Sequence, residues 1–346
     1  MNPLLWSILL TSLATGTIIT TASHHWLLAW IGLELNTMSM LPLIMHPTHP
    51  RSTEATTKYF LIQATSAALM LFASTMNAWQ TGHWTILHTT SPLTTTIAVM
   101  AIMMKLAIAP AHLWYPEILQ GTTLTTALII STWQKLAPLA ILYMMMNHLP
   151  THTLLLLGLL SALIGGWSGL NQTQTRKLMA FSSIAHMGWL ITALSLNPSL
   201  TTLTLMTYLI MTTTMFLMLH TSTTKSLTDS GTTWTHSPLT LTFTMLTLLS
   251  LGGLPPLTGF MPKLLILNEL TWTKLTPLAT TLALASLPSL AFYTRLAYLT
   301  TLTIPPNTTS SEHKWRFKTP PTTLTPTLML LTTLSLPMMP LMYYTT

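Results

Sequence analysis

Apolar residues recur along the chain in blocks of about twenty, divided by short clusters of Pro, Asn, His and Thr, and about twenty residues of α-helix cover the roughly 30 Å of a bilayer's hydrocarbon. The blocks predict spans at 3–22, 26–45, 56–78, 95–114, 123–147, 150–170, 178–197, 200–220, 237–271, 275–301 and 322–343. Runs such as Leu154 to Leu160 do not alternate apolar with polar positions, as the strands of a membrane barrel would. The expected fold is an all-α multi-span membrane protein with eleven transmembrane helices. The ninth block is too long for one straight crossing and holds Gly252, Gly253, Pro255, Pro256, Gly259 and Pro262, so it is read as a broken helix.

An odd number of spans per repeat inverts the second copy in the membrane. Residues 1–147 then form a first five-helix repeat, 148–302 a second, inverted one, and 303–346 a loop and a last helix. In both copies the fourth span is interrupted by proline, at Pro110 and at Pro255-Pro256, and carries a lysine beside the break, Lys105 and Lys263. Discontinuous helices at matching places of inverted repeats point to the ion site of a transporter.

Composition changes the picture in three ways. Only 5% of the 346 residues are Asp, Glu, Lys or Arg, against roughly 25% in a soluble domain, and the mean hydropathy is +0.54. Cysteine is absent, which excludes a disulfide, a thiolate zinc site and a Cys-ligated iron–sulfur cluster and sends redox chemistry to another chain. The net charge of +7 reflects loop residues rather than a nucleic-acid surface. With eleven crossings Arg51, Lys58, Arg176, Lys177, Lys225, Lys314, Arg316 and Lys318 fall on the N-terminal side and Lys274 on the other. Splitting the ninth block in two would move the basic 312–318 cluster to the opposite side.

An ionised group at the bilayer centre costs at least about 2.5–3.5 kcal/mol, so depth within each span selects the candidate residues. Glu34, Lys105 and Lys135 lie near the middle of their spans, and Lys263 lies past the middle of the broken one. An ion pair that locks helices together accounts for Glu34 with Lys105. It does not account for the set, because one carboxylate cannot neutralise three ammonium groups. Such lysines are suited to loading and releasing protons. His186 occupies the ninth position of span seven, as Glu34 does in span two, and reads either as a relay or as a packed histidine. His112, two residues after Pro110, continues the path from Lys105 or packs beside it. Arg295 and Glu269 stand near span ends, where side chains snorkel to the interface.

Three motifs carry less than their composition suggests. Gly165-Gly166-x-x-Gly169 ends an apolar helix with no strand before it, so it reads as close helix packing rather than a dinucleotide loop. His24-His25 and His46 with His49 sit in loops without matched metal ligands. The mid-span histidines His112 and His186 do not make the facing pairs a two-haem protein needs.

The stretches Trp30-Ile-Gly-Leu-Glu34-Leu-Asn36, Lys105-Leu-Ala-Ile-Ala-Pro110-Ala-His112-Leu-Trp114-Tyr-Pro116-Glu117, Gly169-Leu-Asn-Gln-Thr-Gln-Thr-Arg-Lys-Leu178 and Gly253-Leu-Pro-Pro-Leu-Thr-Gly-Phe-Met-Pro-Lys263 resemble those of the antiporter-like membrane subunits of vertebrate mitochondrial respiratory complex I. The resemblance implies a core of fourteen helices in two inverted repeats, of which a metazoan branch lacks the first three. It implies that Glu34 is the glutamate of the first half-channel, Lys105 its partner on the broken helix, Lys135 the connecting residue and Lys263 the lysine of the second broken helix. It further implies proton transport coupled to electron transfer from NADH to ubiquinone. FMN, the iron–sulfur clusters and ubiquinone then belong to other subunits, with no cofactor in this chain. Expected partners are neighbouring antiporter-like and small membrane subunits, accessory subunits and lipids such as cardiolipin, with no nucleic acid. The expected location is the mitochondrial inner membrane, N-terminus in the matrix and C-terminus in the intermembrane space. The opening Met1-Asn2-Pro3, without a basic leader, and the heavy use of Thr, Leu and Met lead to the expectation of synthesis inside the organelle. The alternatives are a stand-alone cation/proton antiporter, which would need a carboxylate cluster that a lone Glu34 does not supply, and a structural spacer of the membrane arm.

Overall fold

The computed structural model describes residues 3–89, 91–233, 238–302, 324–340 and 343. Among them the long elements are all helical: α1 Pro3–Ala22, α2 Trp26–Met45, α3 Pro50–Thr81, α4 Pro92–Leu106, α5 Trp114–Gly121, α6 Leu124–Ser131, α7 Leu136–Met144, α8 Thr151–Gly169, α9 Thr175–Leu196, α10 Pro198–Ser222, α11 Pro238–Gly252, α12 Phe260–Trp272, α13 Thr276–Leu302 and α14 Leu324–Leu334. Eight helical stretches are long and apolar enough to cross a membrane, α6 and α7 counting as one, and Pro92–Leu106, Pro238–Gly252 and Thr325–Leu334 are shorter apolar helices. The chain divides into two compact units, Met1–Leu160 and Ser161–Thr346.

Proline decides where α4 and α11 stop, although Pro42 and Pro288 are accommodated inside α2 and α13. A proline has no N–H to give the carbonyl four residues before it, and its ring crowds that carbonyl. Helix α4 ends at Leu106, four residues before Pro110, and α11 ends at Gly252, four residues before Pro256. Each end is closed by a residue in the left-handed region, Ala107 at φ 60° and Gly253 at φ 83°. Glycine adopts that geometry freely, whereas alanine is strained there by roughly 1–2 kcal/mol. The chain re-enters helix at Trp114 and at Phe260.

The block 123–147 is expected as one helix, but the structure interrupts it. Helix α6 ends at Ser131, a 3₁₀ turn covers Trp133–Lys135, and α7 begins at Leu136. Pro138 in the first turn of α7 is the cause, since the Gln134 carbonyl four residues before it receives no helical N–H. The Thr132 hydroxyl donates back to the Leu128 carbonyl at 2.7 Å, which also favours bending.

Helix α3 is longer than the block 56–78 predicts. It starts at Pro50, where His49 Nδ1 accepts from the Arg51 N–H at 3.2 Å and Ser52 Oγ accepts from the His49 N–H at 3.0 Å. At 32 residues it is about 48 Å long. Lys58, expected in a loop, therefore lies in a helix, where its ammonium bonds Glu54 at 2.5 Å and Glu117 of α5 at 2.7 Å. An intact helix flanks each break within its own unit: α3 packs on both α4 and α5, and α10 packs on both α11 and α12.

In the second unit α9 is buried along nearly all of Leu178 to Leu194, as expected of a helix apolar on all sides. The Gly165-Gly166 motif serves packing: a β-carbon on Gly165 would stand 2.6 Å from the Ala185 nitrogen. Arg295 does not snorkel freely; its guanidinium donates to the Leu170 carbonyl just beyond the end of α8 at 2.9 Å, where a cation complements the helix dipole. Glu269 accepts from the Tyr343 hydroxyl at 3.4 Å. Lys314, Arg316, Lys318 and the 303–323 loop lie outside the described residues.

The Gly259 backbone crosses α11 so closely that a β-carbon there would overlap the Ser250 carbonyl oxygen. Gly259→Ala is expected to destabilise the fold by at least about 1–3 kcal/mol, read as lost accumulation of the assembled protein on native gels. In the turn after α10 the Ser226 N–H donates to Asp229 Oδ2 at 2.9 Å and the Lys225 N–H at 3.3 Å. The Ser226 N–H bond leads the influences that hold the Asp229 carboxyl below its usual range, followed by the Ser226 hydroxyl and by the N–H and charge of Lys225. A depressed carboxyl stabilises the turn above its ordinary value of about 4 and loses that effect as pH falls through the lowered one. Hydrogen exchange of residues 225–230 should stay constant from neutral pH to about 5 and accelerate, beyond the intrinsic trend, only in stronger acid.

Candidate functional site

Lysines buried in the first unit and half-buried in the second form two centres, one in each unit. In the first, Lys105 belongs to the last turn of α4 and is 7% exposed, while Lys135 ends the 3₁₀ turn before α7 and is 3% exposed. Both line one cavity of about 20 Å³, together with Asn36, Tyr59, Gln63, Trp114, Tyr115 and Gln134. A polar cavity above about 10–15 Å³ accommodates water.

Each ammonium has protein partners. Lys105 Nζ donates to Gln63 Oε1 of α3 at 3.4 Å. Lys135 Nζ lies 5.1 Å from the centroid of the Tyr115 ring on α5, a cation–π contact worth about 0.5–2 kcal/mol. Gln134 Nε2 donates to Asn36 Oδ1 at 3.0 Å, tying the break beside Lys135 to α2. The buried Trp114 Nε1–H, by contrast, has no acceptor among the described residues, and a water in the cavity that Trp114 lines would satisfy it.

Glu34 is half-buried on α2 and interacts with the Thr37 hydroxyl at 3.5 Å. Among the described residues no ion pair within 4.0 Å joins it to Lys105. Its neighbours Leu33, Asn36 and Thr37 line the cavity while Glu34 does not. His112 sits in the break between α4 and α5, its Nδ1 3.1 Å from the Pro110 carbonyl, so this nitrogen carries the proton in the neutral ring.

In the second centre Lys263, on the first turn of α12, reaches back to the end of α11. Its Nζ donates to the Gly252 carbonyl at 3.0 Å. That carbonyl is the one whose helical donor would be Pro256, so the lysine supplies the bond that proline cannot. The ammonium also sits at the negative end of a helix dipole and 6.0 Å from the centroid of the Trp189 ring on α9. Gly253 gives it room: a β-carbon there would approach Nζ to 3.0 Å. One turn before Trp189 on the same face, His186 Nε2 lies 3.4 Å from the Tyr293 hydroxyl of α13, and its ring centroid is 5.9 Å from that of Tyr208 on α10.

The structure thus brings Lys105 and Lys135 to one cavity, keeps Glu34 beside its wall and His112 in the adjoining break, and assembles Lys263 and His186 around α9. Sequence reasoning passes over Gln63, Gln134, Tyr115, Trp189 and Tyr293. Pro138, three residues after Lys135, was the available signal for the third break.

A family model described as NADH:quinone oxidoreductase/Mrp antiporter, TM, matches residues 23–289, and one described as NADH dehydrogenase subunit 2 C-terminus matches residues 290–343. The chain is 54% identical over 342 residues to NADH-ubiquinone oxidoreductase chain 2 of Xenopus laevis, covering 99% of each. It is 54% identical over 341 residues to the protein of that name from Carassius auratus, covering 98% of each. A chain in the structure of respiratory complex I from Thermus thermophilus with bound aureothin is 26% identical and superposes with a TM-score of 0.81 over 95% of this chain and 78% of that one.

The break at Gly253 is sensitive to a single methyl group. Gly253→Ala places alanine at φ 83° and pushes on the Lys263 ammonium, with a strain cost of roughly 1–2 kcal/mol. It should lower the melting temperature of the purified assembly and its proton transport together. Gly252→Ala, whose β-carbon would meet nothing nearer than 3.8 Å, should leave transport close to wild type.

Proposed function

This chain belongs to the NADH:quinone oxidoreductase/Mrp antiporter transmembrane family, and on that premise we propose that its buried lysines carry protons within the membrane arm of respiratory complex I. The chain is a multi-pass membrane subunit of the NADH:ubiquinone oxidoreductase complex, working beside other membrane-arm subunits.

The observation that carries the proposal is the shared cavity of Lys105 and Lys135. Two ammonium groups lining one water-sized space cannot both be held as charges at low cost, so a proton added to one favours release from the other. The neutral amides Gln63, Asn36 and Gln134 supply hydrogen bonds without adding a competing acid, and Glu34 biases Lys105 from outside contact range. A proton reaching Lys105 would move through cavity water to Lys135, with His112 on the α4–α5 break as a further station. In the second unit Lys263 would exchange its proton where the Gly252 carbonyl and Trp189 hold it, with His186 as the neighbouring station.

The finer architecture belongs to the same reading. The helices are arranged as eleven spans, α4–α5 and α11–α12 each making one broken crossing. Residues 1–147 and 148–302 are the inverted five-helix repeats, and 303–346 form a matrix loop and a last helix. The N-terminus faces the matrix and the C-terminus the intermembrane space, in accord with the basic residues of the N-terminal-side loops. FMN, the iron–sulfur clusters and the ubiquinone site lie in other subunits, and accessory subunits and cardiolipin contact the surface.

Lys135→Met keeps the length and packing of the side chain and removes its charge. In the assembled complex it should reduce protons pumped per NADH severalfold while assembly remains normal. Normal pumping in a normally assembled complex would overturn the proposal in favour of a structural spacer.

A further inference from the structure

Tyr293 has no part in the path as read from the sequence, yet it stands beside His186 and near Gly252, the residue that holds Lys263. It is 1% exposed, and its ring is held by Phe292, with centroids 4.4 Å apart at 50°. One edge of that ring faces Gly252 with space for a methyl group between them, since a β-carbon there would meet Cδ2 at 3.8 Å. Gly252 is the residue whose carbonyl accepts the Lys263 ammonium at 3.0 Å. At its other end the Tyr293 hydroxyl stands 3.4 Å from His186 Nε2, and nearby, one turn before His186 on α9, is the Ser182 hydroxyl, which donates to the Met179 carbonyl at 2.7 Å and keeps its lone pairs free to accept.

We propose that Tyr293 is a positioning residue that sets the tautomer of His186 and links it to the peptide holding Lys263. The inference rests on the reading of Lys263 and His186 as proton-carrying groups. A phenol can donate one hydrogen bond and accept others. When His186 is neutral with Nε2 bare, the Tyr293 O–H donates to it. When His186 is doubly protonated, its Nε2–H must donate, and the tyrosine proton turns away toward Ser182. No bond to oxygen breaks in this exchange; only the direction of the O–H changes. The rotor therefore has two positions that follow the charge on the imidazole, while the Cδ2 edge of the rigid ring stays near Gly252 in both. The titratable groups packed on α9 at this level are Tyr208 from α10, Lys263 from α12 and Tyr293 from α13. Arg295, two residues further along α13, is engaged at Leu170 beyond the end of α8.

The test uses the assembled complex. Tyr293→Phe preserves the ring and removes the hydroxyl. Assembly and electron transfer in the presence of uncoupler should be unchanged, while the pH profile of protons pumped per NADH moves by about one unit. Ser182→Ala should move it in the same direction by less. In a His186→Leu background, Tyr293→Phe should produce no further change, since coupled residues are not additive. An unmoved profile in both single variants, an equal shift in the His186→Leu background, or failure of Tyr293→Phe to assemble would overturn the inference. Lys263→Met run in parallel separates the two readings. Intact pumping there removes the premise, whereas lost pumping there with an unmoved Tyr293→Phe profile removes only the role of Tyr293.

Discussion

A carbonyl released from its helix by proline must find a donor where water is scarce, and a buried ammonium must find an acceptor; in this chain the two needs meet at the same positions. Pro110, Pro138 and Pro256 each strip the helical donor from a carbonyl, at Leu106, Gln134 and Gly252. Lys105 precedes the first of these and Lys135 follows the second, while Lys263 is bonded to the third. The prolines are thus as much a part of the charged centres as the lysines. At Lys263 and Gly252 each need relieves the other directly, whereas Lys105 and Lys135 take their partners from Gln63 and Tyr115.

The two centres meet that constraint differently. In the first unit the partners are side-chain amides and aromatic rings around a small cavity, an arrangement that leaves room for water and for a change of partner. In the second the ammonium is engaged directly by backbone, with Gly253 leaving only enough space for it. A proton on Lys263 is held by a fixed dipole, and one on Lys105 by a side chain that can rotate. The same residue type can therefore hold a proton with different firmness in the two units, without any carboxylate in direct contact.

Much of this was legible in the sequence because hydropathy and proline act locally. The all-helical, multi-span character, the two breaks at Pro110 and Pro255-Pro256 and the lysines beside them follow from residues within one or two turns of each other. The break at Lys135 was equally local but hidden, since Pro138 stands in an apolar run that reads as continuous helix. The length of α3 was obscured for the opposite reason. Its first turns carry Arg51, Glu54 and Lys58, so hydropathy marks where an apolar stretch begins rather than where the helix does. The partners of the charges were not legible, because they come from distant segments: Gln63 lies 42 residues from Lys105, Asn36 lies 98 from Gln134, and Tyr293 lies 107 from His186. An amide or phenol in an apolar helix announces that a partner exists. It does not announce which one. Among the described residues no ion pair within 4.0 Å joins Glu34 to Lys105, whose ammonium donates instead to Gln63.

Helix α3 lies along both halves of the first broken helix, and Lys58 clasps the second half through Glu117. It acts as a splint. A fracture beside an unbroken rod does not become a joint, because the rod keeps both fragments in line even though the hydrogen bonds across the gap are gone. The missing bonds then widen the chemistry open to the gap without loosening the scaffold around it, and α10 stands in the same relation to the second fracture. A path for small charges can run through such a gap while the helices on either side stay still.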